Sequence, residues 1–287
     1  MSQPTTERLD PWRAAALRDL LEVDADTTPG AALPLLWHWI YLLDHPRYGE
    51  LGPDGHRERP EAERTVRRMW AGGAVSQRAP LRTDRHATRT STERSRATKS
   101  GSSGTFTVVT IRHEITQDGV IAVEEDQHLV YRAPLAGGPA RDRGGVRKDG
   151  DGSPSQRPLG PAEHAWPADE RMLFRYSALT YNGHRIHYDR PYATGEEGYA
   201  GLVVHGPLQA LLMAEHCSAH TNPDRAAASI SYRLVSPLIQ GQGLVTGTKA
   251  EPDEDNAGQS AYVRDRNGRP TATARYHLLH KPIRLGP

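Results

Sequence analysis

Apolar positions along the chain fall into two alternating rhythms. From Asp10 to Glu22, "DPWRAAALRDLLE", they recur at helical spacing, with Asp10 placed to cap and Pro11 suited to the first turn. A second helix is predicted over Leu33–Leu43. "GTFTVVTIRHEI" and "GVIAVEEDQHLVYR" instead alternate and are rich in β-branched residues. "TQDG" separates them as a hairpin turn, so they read as adjacent antiparallel strands. The same order then returns. An irregular segment, Tyr181 to Val204, leads into a helix in "GPLQALLMAEHCSAH". Strands follow in "AAASISYRLVSPL", "QGLVTGTKAE", "SAYVRDRNG" and "PTATARYHLL", with "DRNG" as another hairpin turn. Two copies of one α+β unit is the economical reading, although no strict repeat is visible.

Between the copies, Ala136 to Pro161 holds almost no apolar side chains and much Gly, Pro and charge, so it reads as a linker or surface loop. The 287 residues suffice for one large domain or two of roughly 130 to 150. With 36 basic and 35 acidic residues there is no global field to attract nucleic acid. Cys217 is the single cysteine, which excludes an intrachain disulfide and a cysteine-based metal site. The start, "MSQPTTERLDPW", does not read as a secretory signal. The longest apolar run, "ALPLLWHWIYLL", is far short of the roughly 20 residues that span a bilayer. A soluble cytoplasmic protein is the expectation, with neither membrane nor nucleic acid as partner.

The candidate chemistry is concentrated in "YNGHRIHYDRPYA", Tyr181 to Ala193, and in "HGPLQALLM" after it. Three readings of His184 and His187 compete on residue types alone. They are structural loop histidines, or metal ligands with the nearby Asp and His205, or acid–base groups that titrate near neutral pH. Gly206 and Pro207 either simply start a helix or present free backbone N–H groups to an oxygen gaining negative charge. Arg185 and Arg190 are solvated or structural, or their forks take a carboxylate. Tyr188 and Tyr192 either line an acyl pocket or pack the segment. Arg94, Arg96 and Lys99 read more readily as a solvated strand and loop than as a phosphate site. Cys217 reads as a small buried residue, and Trp37 and Trp39 as core.

Together, "FRYSALTYNGHRIHYDRPYA" and "GLVVHGPLQALL" resemble the hydratase motif of MaoC-like, hot-dog-fold enoyl-thioester hydratases. Upstream, "MWAGG", "SGTFTVVTIRHEI" and "AVEEDQHLVYR" resemble the dehydratase domain often fused to its N-terminal side. The likeness spans roughly Leu33 to His280. It is nearest to the hydroxyacyl-thioester dehydratase type 2 branch that contains mesaconyl-C4-CoA and itaconyl-CoA hydratases.

The resemblance implies an α+β double hot-dog, two antiparallel sheets each wrapped around a central helix. Residues 1–140 would form a non-catalytic hot-dog, 141–162 a linker, and 163–287 the catalytic hot-dog. The implied reaction is reversible hydration of an enoyl-CoA thioester, with a short branched dicarboxylic acyl group such as itaconyl or mesaconyl-C4. The family motif has an aspartate, an asparagine two positions on and a histidine three beyond. Those positions here are Asn182, His184 and His187. An amide thus replaces the usual aspartate, and Asn182 can orient water but not exchange a proton. The expected division makes His187 the principal acid/base, with Asn182 positioning water, His184 assisting and the Gly206 N–H holding the enolate oxygen. Arg185, Arg190, Tyr188, Tyr192 and His205 would contact substrate. No metal and no cofactor are expected beyond the CoA of the substrate, and the assembly would be a monomer or homodimer of double hot-dogs. Alternatives are a 3-hydroxyacyl-carrier-protein dehydratase, a non-catalytic acyl-thioester binder favoured by the missing aspartate, and a metal-dependent oxygenase.

Overall fold

The structure is a computed structural model that describes residues 3–58, 66–101, 104–132, 156–219, 227–250 and 258–279. After strand β1 (Thr5–Arg8), the Asp10 carboxylate accepts the Trp12 N–H at 2.9 Å and starts helix α1 (Pro11–Leu21). That helix buries Ala14, Leu17, Leu20 and Leu21, at the three- and four-residue spacing read from the sequence. The helix expected over Leu33–Leu43 is absent. In its place lies a 3-10 turn, Trp37–Ile40, between Leu36 and Leu42 in left-handed conformations. Nearly every side chain from Leu33 to Leu42 is buried, so no single helical face can serve the segment. The Trp39 indole and the His38 imidazole both bond the Glu125 carboxylate, at 3.0 Å each at the nearest oxygen.

Strands β2 (Arg67–Gln77), β3 (His86–Gly101), β4 (Gly104–Gln117) and β5 (Val120–Arg132) complete the first half. Asp118 and Gly119 both have positive φ, the mirror-type turn that matches the twist of paired strands. The second half holds β6 (Glu163–Trp166), α2 (Glu170–Thr180), a 3-10 turn (Arg185–His187), α3 (Arg190–Gly195) and α4 (Gly206–Ser218). It ends with β7 (Ala227–Leu234), β8 (Leu244–Ala250), β9 (Gly258–Arg264) and β10 (Pro270–Leu279). Sequence periodicity missed β1, β2, β6, α2 and α3. The linker expected at 141–162 lies, up to residue 155, outside the described residues.

The sheets of the two halves join edge to edge into one. Its order is β1-β3-β4-β5-β2-β7-β10-β9-β8-β6, and β2 pairs antiparallel with β7 from Gly72↔Arg233 to Gln77↔Ala228. Strands before residue 133 therefore occupy one half of a continuous ten-stranded sheet, and strands after 162 the other. Helix α4 packs on the second half against β7, β8, β9 and β10. It is apolar nearly all round, with Leu208, Leu211, Leu212 and Met213 at most 1% exposed, as a fully enclosed helix must be. The first half has the irregular Leu33–Leu42 segment in the core instead of a matching helix, so the expectation of one central helix per half is corrected. Among the described residues no helix is long and apolar enough to cross a membrane.

Candidate active site

Helix α2 aims the motif. Asp169 caps its start, accepting the Met172 N–H at 3.0 Å. At its end Tyr181 turns left-handed, and the Asn182 N–H reaches back to the Ser177 carbonyl at 2.9 Å. The Asn182 side-chain oxygen then accepts the His184 N–H at 3.0 Å, which fixes the turn into Arg185–His187. Asp189 caps α3 through the Tyr192 N–H at 3.1 Å and also takes Arg185 Nε and Nη2 at 3.0 and 2.8 Å. Asn182 and Asp189 thus organise backbone, and Asp189 is not offered to a metal.

His187 is buried, and its Nδ1 donates to the Val203 carbonyl at 2.7 Å. Since a carbonyl only accepts, Nδ1 carries the proton and Nε2 keeps its lone pair in the neutral ring. Burial holds the imidazole at about 4, so it is an uncharged base at neutral pH. The segment supplying that carbonyl is pinned by the Val203 N–H on the Ile186 carbonyl at 2.9 Å and the Val204 N–H on the Leu238 carbonyl at 2.8 Å. Two residues on, the fully buried His205 stacks on His187 with ring centroids 3.7 Å apart. Its Nε2 shares a proton with the Ser177 hydroxyl at 2.8 Å, and its Nδ1 has no hydrogen-bond partner among the described residues. Burial, then the neighbouring His187 and His184, keeps it neutral.

His205 is the N-cap residue of α4 but caps nothing with its side chain, and Gly206 follows it directly. The stacked imidazoles therefore adjoin the positive end of a thirteen-residue helix. A β-carbon on Gly206 would lie 2.2 Å from Leu234 Cδ1, so the glycine first serves close packing against β7.

Sequence reasoning missed a contribution from the first half. The loop Gly52–His56 lies on the motif: the Arg185 N–H donates to the Asp54 carbonyl and Arg185 Nη1 to the Pro53 carbonyl, both at 2.9 Å. Two glycines permit this contact. Gly55 has φ +86°, and a β-carbon there would lie 1.9 Å from the Gly183 oxygen. The loop brings His56 to His184, ring centroids 4.2 Å apart, and Asp54 Oδ2 to 3.5 Å from His56 Nδ1. Burial alone would push the Asp54 carboxyl up, but the His56 side-chain and backbone N–H groups hold it well below the usual carboxylate range. His184 is brought down to about 2 by burial and by its neighbours His56 and His187. The only signal in the sequence is "GPDGH", a turn with an acid and an imidazole.

Asp54, His56 and His184 each present a ligand atom within 4.8 Å of the others. The His56 and His184 rings are tilted by 42° to one another, with centroids 4.2 Å apart.

The remaining predicted residues divide clearly. Arg185 has both Asp189 and Pro53 as partners and lies over the Tyr192 ring at 4.1 Å. Arg190 binds Glu170 and Gln240, at 2.8 and 2.9 Å. Both forks have partners within the protein. Tyr188 is half exposed and donates to the Gly183 carbonyl at 3.0 Å. Tyr192 donates to Glu197 at 3.4 Å. Arg94 pairs with Asp126 and Arg96 with Glu93, while Lys99 is exposed, as expected for a solvated strand. Cys217 is buried, its thiol pushed up to about 12. Trp37 is fully buried and Trp39 partly so. A cavity of about 830 Å³ opens at the far end of α4, lined in part by Glu215, His216 and Cys217, and holds none of the motif histidines.

Residues 36–240 match the model of the hydroxyacyl-thioester dehydratase type 2 family, and that stretch contains His187, His205 and the start of α4. The chain belongs to the hydroxyacyl-thioester dehydratase type 2 family. It is thereby an enzyme of the hydro-lyase class. Over 219 residues it is 41% identical to the mesaconyl-C4-CoA hydratase of Chloroflexus aurantiacus, covering 74% of this chain and 73% of that protein. Among solved structures it is similar to HtdX of Mycobacterium tuberculosis, with TM-score 0.65 and 15% identity over 96% of this chain and all of the other. A second M. tuberculosis protein, described as having a double hot-dog fold, aligns with TM-score 0.53 and 13% identity over 97% and 96% of the two chains. These likenesses establish the double hot-dog fold.

Proposed function

We propose that this family member adds water reversibly across the double bond of an enoyl-CoA, and that its acyl group is a short branched dicarboxylic one such as mesaconyl-C4. The observation that carries the reaction is the neutral His187 ring, oriented by the Val203 carbonyl and stacked beside the start of α4. The acyl group is suggested by the identity to the Chloroflexus hydratase.

The chemical difficulty is negative charge on the thioester oxygen as the α-carbon gains or loses its proton. His187 Nε2 takes a proton from water as the water oxygen bonds the β-carbon. The backbone N–H of Gly206, with the dipole of α4 behind it, stabilises the enolate oxygen. One good donor of this kind contributes on the order of 3 kcal/mol. Asn182 uses its carbonyl oxygen on the His184 backbone, leaving its amide nitrogen to orient water. His205 supports the His187 ring face and keeps a second charge out of the site.

The direct test follows the loss of enoyl-thioester absorbance with crotonyl-CoA and mesaconyl-C4-CoA. Wild type hydrates at least one of them with His187-dependent turnover, and mesaconyl-C4-CoA is the faster. Binding of both thioesters without turnover would refute the catalytic reading. Preference for crotonyl-CoA would refute only the dicarboxylic acyl group.

A further inference from the structure

Hydration moves two protons: one leaves the water and one arrives at the α-carbon. The imidazoles of the C-terminal motif are His184 and His187, and His187 Nδ1 has a backbone carbonyl, not a carboxylate, as its partner. Asp189, the acid of the motif, is committed to Arg185 and to the cap of α3. The acid that reaches the cluster comes from the other half of the molecule. Asp54 lies on the Gly52–His56 loop, 3.5 Å from His56 Nδ1, and is near enough to act on His184 as well.

Ring contacts run unbroken from this pair to the proposed base. His56 meets His184 at 4.2 Å, His184 meets His187 at 5.5 Å, and His187 stacks on His205 at 3.7 Å. The exposure gradient along the series fits a proton route. Asp54 and His56 side chains are 23% and 24% exposed, whereas His187 is 7% and His205 fully buried. Placement of the loop is not incidental, because the Gly55–Gly183 contact and two hydrogen bonds from Arg185 clamp it to the motif.

We propose that Asp54 and His56 complete the proton-handling set: His56 carries the proton delivered to the α-carbon, and Asp54 is the positioning residue that holds its ring and charge. This rests on the hydratase reading above and removes the first half from its expected non-catalytic role. The steps balance. Water loses a proton to His187 Nε2 as its oxygen bonds the β-carbon, and the α-carbon gains one from His56. The proton on His187 then returns to His56 through water that refills the site beside His184, so one water is added and no net proton is consumed. The groups acting on this series are Asp54 on the loop, His184 and His187 on the motif, and Arg68 on β2.

The test uses the full chain and crotonyl-CoA, with wild type, His187→Ala, His56→Asn and Asp54→Asn. For His56→Asn the turnover number falls about 100-fold or more, while KM and Tm stay close to wild type. Asp54→Asn, which keeps the imidazole but loosens its hold, falls less, again with KM and Tm close to wild type. Should His56→Asn fold poorly, the turnover number of Asp54→Asn decides the matter alone. Wild-type turnover in both variants, or a loss confined to KM or Tm, overturns the proposal. So does a wild-type rate that vanishes on dialysis against EDTA and returns with a divalent cation. An inactive wild type sinks the hydratase reading itself, a different outcome from active wild type with indifferent position 56.

Discussion

The two ends of helix α4 both place ionisable groups in low-dielectric surroundings, yet they differ in what they offer a reaction. At the N-terminal end burial drives His187 and His205 to the neutral form, and the first helical amides point outward. At the C-terminal end burial pushes the Glu215 carboxyl up to about 7, with the Trp37 indole N–H donating to it beside the 830 Å³ cavity. A shifted proton affinity is therefore not the mark of the active site here. What distinguishes the N-terminal end is a base with a free lone pair next to unsatisfied donors. At the cavity end the Glu215 carboxyl is instead opposed by an indole.

The sharpest way to break this comparison is to remove the two groups in turn. His187→Ala lowers the turnover number about 1000-fold, within the range of a lost acid–base group, whereas Glu215→Gln leaves it within twofold. Steady-state rates with crotonyl-CoA check both; equal losses would erase the distinction between the ends. Next in size is Glu125→Ala. It strips the buried His38 of its partner and costs about 3 kcal/mol by chemical denaturation without altering KM. A smaller effect is expected from Gly55→Ala, whose φ of +86° and clash with the Gly183 oxygen separate the loop from the motif. It destabilises by more than about 1 kcal/mol and lowers turnover, read by thermal melting and rates on one preparation.

The pH response sharpens the contrast further. The folded-state value of His187 lies below its ordinary 6.5, so the unfolded chain binds more protons from there down to about 4. Its contribution to stability is present above 6.5 and fades as pH falls through that window. Glu215 runs the other way, since its folded value of about 7 exceeds the ordinary 4.5 and stability falls as pH rises between them. Melting of Glu215→Gln from pH 5 to 8 should show a smaller alkaline decline than wild type. The smallest expected difference concerns Arg185→Met. Because the fork serves Asp189 and Pro53, crotonyl-CoA and mesaconyl-C4-CoA turnover fall by the same factor.

Much of this was legible in the chain. The "TQDG" turn, the strands it joins and the cap at Asp10 follow from local chemistry, and the structure reproduces them. The motif histidines stood out as residue types, and the resemblance singled out His187. The segment Leu33–Leu42 misled because a run that is buried on every side carries no periodicity to separate helix from irregular backbone. Strands β1 and β6 were missed since four-residue edge strands leave too short a pattern. Asp54 and His56 were hidden for another reason. They act across about 130 residues of chain, through a backbone contact between two glycines that no local spacing reports.

One assay reaches the central claim most directly: disappearance of the enoyl-thioester band in wild type and in His187→Ala, with mesaconyl-C4-CoA as substrate. Rapid decay in the first and almost none in a properly folded second is the predicted result. Undiminished decay without the imidazole would contradict the account.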